Sequence, residues 1–213
     1  MTNPPFIAIA GNIGSGKTTL TSLLAKRYGW RPYYEEVIEN PYLADFYSDM
    51  RRYALPLQLR FLSHRARDIR RISKGHESAI LDRTIYEDAE IFARNLYLAG
   101  KMDERDYATY REISELLFAE LRQPDIIVYL QMSVPRLLER IKERGRPFEQ
   151  TLEPSYITAL NDRYEAWAVS CPYGQVLTIN AEELDPRKSE DDLHKIGEII
   201  WNALGQRDLF GKP

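Results

Sequence analysis

The segment Gly11-Asn12-Ile13-Gly14-Ser15-Gly16-Lys17-Thr18 constrains this chain more than any other stretch of it. It fits G-x-x-x-x-G-K-[ST] without departure, and it lies between an apolar run, Phe6–Ala10, and an amphipathic helical pattern. The spacing has a mechanical reason. Glycines let the chain turn tightly and bring backbone N–H groups close to phosphate oxygens, while the helix N-terminus adds its partial positive charge. Lys17 offers a point charge to the outer phosphates, and Thr18 a hydroxyl to magnesium. Gly11, Asn12, Ile13, Gly14, Ser15, Gly16, Lys17, Thr18 and the adjoining Thr19 are thus expected to bind ATP, with Mg2+ as its counter-ion.

The rest of the chain repeats the order that this loop requires. Short apolar runs at Arg31–Tyr34, Ser78–Leu81, Asp125–Leu130 and Gln175–Ile179 join Phe6–Ala10 as candidate strands. Between them Leu20, Leu23, Leu24 and Tyr28 mark one helical face in Thr18–Arg27, and Leu55, Leu59, Leu62, Ala66 and Ile69 mark a longer one. Further helices are expected at Glu87–Leu98, Glu104–Leu121, Pro135–Lys142, Pro154–Ala168 and Glu190–Leu204, with caps at Asp103 and Ser133. Such alternation predicts an α/β fold in which helices cover both faces of a mostly parallel sheet.

A length of 213 residues suits one domain, and neither a repeat nor a low-complexity linker divides it. The 29 Lys and Arg against 32 Asp and Glu give a net charge of −3, so the molecule as a whole has no field that would draw in nucleic acid or an anionic membrane. Any anion site is local. Phe6–Ala10 and runs like it are far shorter than the roughly 20 residues of a bilayer span, and the N-terminal residues lack the pattern of a secretory signal. One cysteine, Cys171, excludes an internal disulfide framework and fits a reducing compartment. The expectation is a soluble, unprocessed, cytoplasmic protein.

A phosphate loop names a cofactor and leaves the acceptor open. Open α/β sheets bind ligands at the carboxyl ends of their strands, and three places there carry chemistry. Glu35 and Glu36 follow the second candidate strand, where a carboxylate can take the proton of an attacking hydroxyl; an ordinary solvated loop acid is the bland alternative. Asp82-Arg83-Thr84 follows the third, where an acid can hold magnesium through water and an arginine can pair with carboxylate or phosphate. Arg140, Arg144 and Arg146 close a helix and enter the loop Gly145–Glu149. Residues 140 and 144 share a helical face, so a closing loop can bring two guanidinium groups to a transferring phosphoryl group; charge pattern alone equally fits a neutralised surface helix.

Taken together, GNIGSGKTT, the glutamate after the second strand, FYSDMRRYALPLQ, LDRTIYED and RIKERGRPFE resemble the deoxynucleoside kinase family, from Ile7 to about Trp167. The stretch ENPYLADFY and the motif DRTIYED are most similar to the bacterial purine deoxynucleoside kinases. The resemblance implies a P-loop kinase fold, a five-stranded parallel sheet with an arginine-rich lid at about 140–150, and a homodimer. By it, Glu35 is the base that takes the proton of the 5′-hydroxyl, Arg83 holds that glutamate and the 5′-oxygen, and Asp82 is the acid near magnesium. Tyr47 and Glu149 bind the sugar 3′-hydroxyl. Gln58, Arg65 and Asp88 read the base, and Arg140, Arg144 and Arg146 follow phosphate charge. One physical point supports the base-reading set independently: seven residues on a helix separate Gln58 from Arg65 by only about 20° in direction. A buried amide, guanidinium and carboxylate need partners, and a nucleobase edge supplies them.

Four positions depart from the family pattern: Glu36 stands where many relatives have proline, Thr84 replaces the commoner serine, Phe148 stands where some carry a second lid acid, and Phe61 is larger than in some relatives. Either Glu35 or Glu36 can then be the base, and register favours Glu35. The expected activity is ATP-dependent 5′-phosphorylation of a 2′-deoxynucleoside, deoxyadenosine or deoxyguanosine first and deoxycytidine next, in nucleotide salvage. A thymidylate kinase-like enzyme is the alternative, since it shares the phosphate loop, an Asp-Arg motif and an arginine lid but takes an already charged acceptor. Cys171-Pro172-Tyr173 and the tail Asp208–Pro213 have no expected role.

Overall fold

The structure is a computed structural model that describes residues 4–35 and 40–205. Glu36, the rival base, and the tail from Asp208 lie outside the described residues. Five strands, β1 Phe6–Ala10, β2 Arg31–Tyr33, β3 Ala79–Asp82, β4 Ile126–Gln131 and β5 Val176–Asn180, form one parallel sheet in the order β2-β3-β1-β4-β5. All lie within two residues of the runs read from sequence. β1 is buried along its whole length, and its alternation divides the core: Phe6, Ala8 and Ala10 face one apolar cluster, Ile7 and Ile9 the other. Only a sheet covered on both faces has use for such an unbroken apolar run.

On the Ile7 and Ile9 side, α1 (Lys17–Tyr28), α7 (Val134–Arg144) and α9 (Glu190–Ala203) contribute Leu24, Leu137 and Ile196. On the other side lie α3 (Met50–Lys74), α6 (Glu104–Glu120) and most of α8 (Pro154–Ser170), through Leu57, Tyr110 and Tyr164. α3 carries Pro56 inside its second turn, where the missing N–H breaks one backbone bond just before Gln58. A short helix α2, Leu43–Ser48, precedes α3 and has no counterpart in the periodicity reading.

The helix expected at Glu87–Leu98 is a composite. It starts earlier, as α4 (Ile85–Glu87), widens into a π-helical turn over Asp88–Ala93, and resumes as α5 (Arg94–Leu98). A π turn inserts one residue per turn without changing the apolar pattern, so sequence periodicity does not register it. Asp103 caps α6 by accepting from the Asp106 N–H. Ser133 stands at the cap of α7 but its side chain makes no capping bond; its backbone N–H instead donates to Glu182 at 2.7 Å.

Register sets the site. Ile9 pairs with Asp82 across β1 and β3, and the Arg83 N–H donates to the Ile9 carbonyl at 2.9 Å, so the phosphate loop and the Asp82–Thr84 turn leave the sheet side by side. Tyr33 pairs with Leu81, which brings Glu35, two residues on, beside Arg83, two residues on.

Candidate active site

The phosphate loop takes the conformation its glycines allow. Gly14 and Gly16 have φ of 87° and 99°, and a Cβ on Gly14 would sit 2.9 Å from the Leu137 carbonyl oxygen of α7. Asn12 was expected to face nucleotide; its side chain turns away, donating to the Ile157 carbonyl and Asn161 Oδ1 of α8 and accepting from Ile13 N–H. Asn12 therefore anchors the loop and has only its backbone to offer a phosphate. Lys17 Nζ donates to the Asn12 carbonyl at 2.9 Å. Burial, with Arg83 adding to it, pulls the Lys17 ammonium down to about 7 against the pull of Asp82, Glu87 and Glu35. Phosphate oxygens at the loop would restore that charge.

One cleft opens beside the loop, lined by Lys17, Thr18, Glu35, Tyr47, Gln58, Arg83, Asp88, Arg144, Arg146 and Glu149 among others. Twelve residues nominated from five separate stretches of sequence, Ile13 and Gly14 among them, thus face one space. Glu35 is held there by two arginines: Oε1 accepts from Arg65 Nη2 at 2.6 Å and from Arg83 Nε at 3.1 Å. Burial alone would raise the Glu35 carboxyl, but Arg83, Arg65 and Lys17 prevail and hold it down at about 2. Both arginines donate to the same oxygen, so neither bond engages Oε2.

Arg83 is the one described non-glycine residue at positive φ, 79°, a conformation that its surroundings must enforce. Its Nη1 donates to Tyr164 Oη at 2.7 Å and Glu87 Oε1 at 3.4 Å, and its guanidinium lies 4.5 Å from the centre of the Phe92 ring. Arg65 sits one layer back. It is fully buried, pairs through Nε with Asp88, and also donates to the Asp82 carbonyl, so it supports Glu35 and Asp88 without lining the cleft. Burial opposes its charge, yet Asp88 and Glu35 raise its pKa further. The simple pair between Arg65 and Asp88 weighed from sequence is therefore one limb of a larger network.

At the cleft's inner end, Gln58 and Asp88 stand with Phe61 and Phe92. Gln58 Oε1 is buried without a partner, an acceptor aimed at whatever fills that end. The π turn carries both Asp88 and Phe92 into the cleft. Toward solvent, Tyr47 stacks on Phe148 with centroids 5.6 Å apart and planes at 12°, which ties the lid to α2. Burial, then Tyr156 and Glu149, raise the Tyr47 hydroxyl, so it remains a neutral donor. Glu149, in a 3₁₀ turn over Pro147–Glu149, accepts from Arg144 at 3.0 and 2.7 Å and from Arg146 at 3.3 Å.

Arg140 does not join them. It donates to the Ser15 carbonyl at 3.2 Å and faces Asp185 across a second, smaller cleft, lined also by Gly16, Thr19, Pro186 and Arg187 on the far side of the loop. The shared helical face of residues 140 and 144 is real, but α7 ends at Gly145, and Arg144 in its last turn swings onto Glu149. The Asp185–Arg187 turn, Tyr156, Phe92 and Glu87 were missed from sequence. Only Glu87 left a signal, the capping spacing Thr84-x-x-Glu87.

The residues present fit a magnesium ion. Thr18 Oγ1 donates to Asp82 Oδ2 at 2.5 Å, while Asp82 Oδ1 is buried with no partner. A hydroxyl and one carboxylate are the sparse protein donor set that Mg2+ takes when phosphates and water complete its shell. Burial raises the Asp82 carboxyl although Lys17 opposes it, and a dication would reverse that balance.

A phosphate loop on the central strand of a parallel sheet, facing an ionised carboxylate across one cleft, defines a phosphotransferase of the P-loop kinase fold. The sequence matches the family profile "Deoxynucleoside kinase" over residues 7–203, and the chain belongs to that family. It is 36% identical over 200 residues to the deoxyadenosine/deoxycytidine kinase of Bacillus subtilis strain 168, covering 93% of this chain and 92% of that one. It is 40% identical over 184 residues to the deoxyadenosine kinase of Dictyostelium discoideum, covering 85% and 75%. The structure of deoxyadenosine kinase from M. mycoides with bound dATP superposes with a TM-score of 0.81 at 31% identity, over 91% of this chain and 97% of that one. The protein is a deoxynucleoside kinase, and the thymidylate kinase-like alternative is not favoured.

Proposed function

We propose that the chain, acting as one kinase unit, transfers the γ-phosphoryl group of ATP to the 5′-hydroxyl of deoxyadenosine or deoxyguanosine, and of deoxycytidine more weakly, in nucleotide salvage. The observation that carries this reading is Glu35, ionised and gripped by Arg65 and Arg83 in the cleft that also holds Lys17. The hydroxyl proton passes to Glu35 as the oxygen–phosphorus bond forms, and the bond to the β-phosphate oxygen breaks with its electron pair leaving on ADP. A carboxylate held at about 2 is a weak base, so it takes the proton late, once bond formation has made the hydroxyl acidic. Lys17, Arg83 and the lid arginines Arg144 and Arg146 stabilise the migrating charge. Thr18 and Asp82 would hold Mg2+, which would supply charge to neutralise phosphate oxygens. Arg140 and Thr19 serve the outer end of ATP, where the second cleft lies.

The orphan Gln58 Oε1 supports a base that carries an exocyclic amine, with Asp88, steadied by Arg65, at its side. Tyr47 and Glu149 take the 3′-hydroxyl. We place the enzyme in the cytoplasm, as the single half-buried Cys171 suits, and no described helix is long and apolar enough to cross a membrane. We infer a homodimer through α5, α6 and α8, which leave Leu98, Leu116 and Val169 exposed. Magnesium-dependent ATP consumption with the four deoxynucleosides and, in parallel, their 5′-monophosphates tests the reaction. Turnover is expected with deoxyadenosine or deoxyguanosine and absent with monophosphates; turnover with a monophosphate alone would overturn the role of Glu35.

The lid contact gives a separate expectation. Phe148→Ala removes the face on which Tyr47 stacks, an interaction worth about 1 kcal/mol, and should raise the nucleoside KM about fivefold with the ATP KM unchanged. Steady-state kinetics with each substrate varied checks it; an unchanged nucleoside KM would remove Tyr47 from the sugar site.

A further inference from the structure

Glu87 is fully buried, and its carboxylate does more than a capping acid needs. The cap itself uses one oxygen: Oε2 accepts from the Thr84 N–H at 2.6 Å, and Thr84 Oγ1 accepts in return from the Glu87 N–H at 3.0 Å. Oε1 is surplus to that motif, and three groups converge on it. The Gly11 N–H donates at 3.1 Å, the Tyr164 hydroxyl at 2.7 Å and Arg83 Nη1 at 3.4 Å. Gly11 opens the phosphate loop, which holds the donor. Arg83 grips Glu35, which faces the acceptor. Tyr164 stands on α8, the helix to which Asn12 is also tied. Through one oxygen, Glu87 thus touches the donor side, the acceptor side and the helix that supports both.

A buried carboxylate costs several kcal/mol of desolvation unless donors surround it, so this oxygen holds its three neighbours to a narrow geometry. Arg83 most needs such a restraint, because its positive φ is enforced from outside and its Nε must remain on Glu35. We propose that Glu87 is a positioning residue for phosphoryl transfer, which locks the Arg83 guanidinium to the start of the phosphate loop and so fixes the acceptor oxygen in line with the γ-phosphoryl group. It touches neither substrate. The inference rests on the phosphotransfer reading above.

A register device and a merely structural acid differ in what they move. Glu87→Gln keeps the shape but places an amide donor against Thr84 N–H or against the donors on Oε1, and kcat should fall about 10- to 100-fold with both KM values unchanged. Tyr164→Phe takes one donor from Oε1 and with it the hydroxyl that links Oε1 to Arg83 Nη1, leaves the cap intact, and should lower kcat about fivefold. Thr84→Ala breaks the reciprocal cap, lowers the melting temperature and leaves kcat of the folded enzyme unchanged. Glu87→Gln and Tyr164→Phe at wild-type kcat would overturn the proposal, as would Thr84→Ala costing kcat as much as Glu87→Gln. Should Glu87→Gln fail to fold, Tyr164→Phe against Thr84→Ala decides by the same contrast. A wild-type chain inactive on every deoxynucleoside would take down the parent reading and this role with it; an active wild type with unaltered variants would sink this role alone.

Discussion

Glu35→Gln should lower kcat by about a thousandfold while ATP still binds, because general-base contributions run to roughly 10²–10⁴ and the amide accepts no proton. Two further terms act in the same direction. Without the carboxylate, Arg83 Nε and Arg65 Nη2 face an amide, and the guanidinium that should meet the 5′-oxygen loses its charged partner. The phosphate loop is untouched, so equilibrium binding of an ATP analogue should match the wild type. The companion variant is Glu36→Gln, whose position lies outside the described residues. Near-normal turnover in Glu35→Gln with collapse in Glu36→Gln would transfer the base role to the neighbour.

Arg65→Met should be the most destabilising single change in the site, by about 3–5 kcal/mol, because it leaves the buried Asp88 and the partly buried Glu35 without their shared cation. Asp88 then has no ion-pair partner among its described contacts, and Glu35 keeps the Arg83 hydrogen bond and the more distant pull of Lys17. Removing the acid as well should recover part of the loss: in the Arg65→Met/Asp88→Ala double variant the burial of an unpaired carboxylate at residue 88 disappears. Denaturant melts of the two single variants and the double give the coupling directly. Additive losses would mean that Arg65 and Asp88 are stabilised by groups other than each other, contrary to the network seen here.

Much of this was legible in the primary structure, for identifiable reasons. Phe6–Ala10 and the Gly11–Thr18 loop declare themselves because an all-apolar run has no use outside a covered parallel strand, and because phosphate-cradling glycines are spaced by backbone geometry. Asp82 and Arg83 followed from their place at a strand's carboxyl end. What stayed hidden depends on register or on helix width. Glu87 was readable as the acid of a capping box, but its reach to Gly11 exists only because Ile9 pairs with Asp82. The π turn over Asp88–Ala93 leaves the apolar periodicity intact. Spacing rightly put Arg140 and Arg144 on one face of α7, yet it could not foresee that Gly145 ends the helix and that Glu149 captures one arginine and leaves the other beside Ser15.

Glu149 holds Arg144 and Arg146, and the same acid is the one we propose for the sugar 3′-hydroxyl. A carboxylate that gives up two guanidinium groups as it takes a hydroxyl makes the arrival of the nucleoside an event that the phosphates can feel. By linkage each ligand then strengthens the other's hold. On that reading the lid cations would leave Glu149 only as an acceptor is seated, and ATP in the loop would be spared idle attack by water: the proposed sugar residue would also guard the donor.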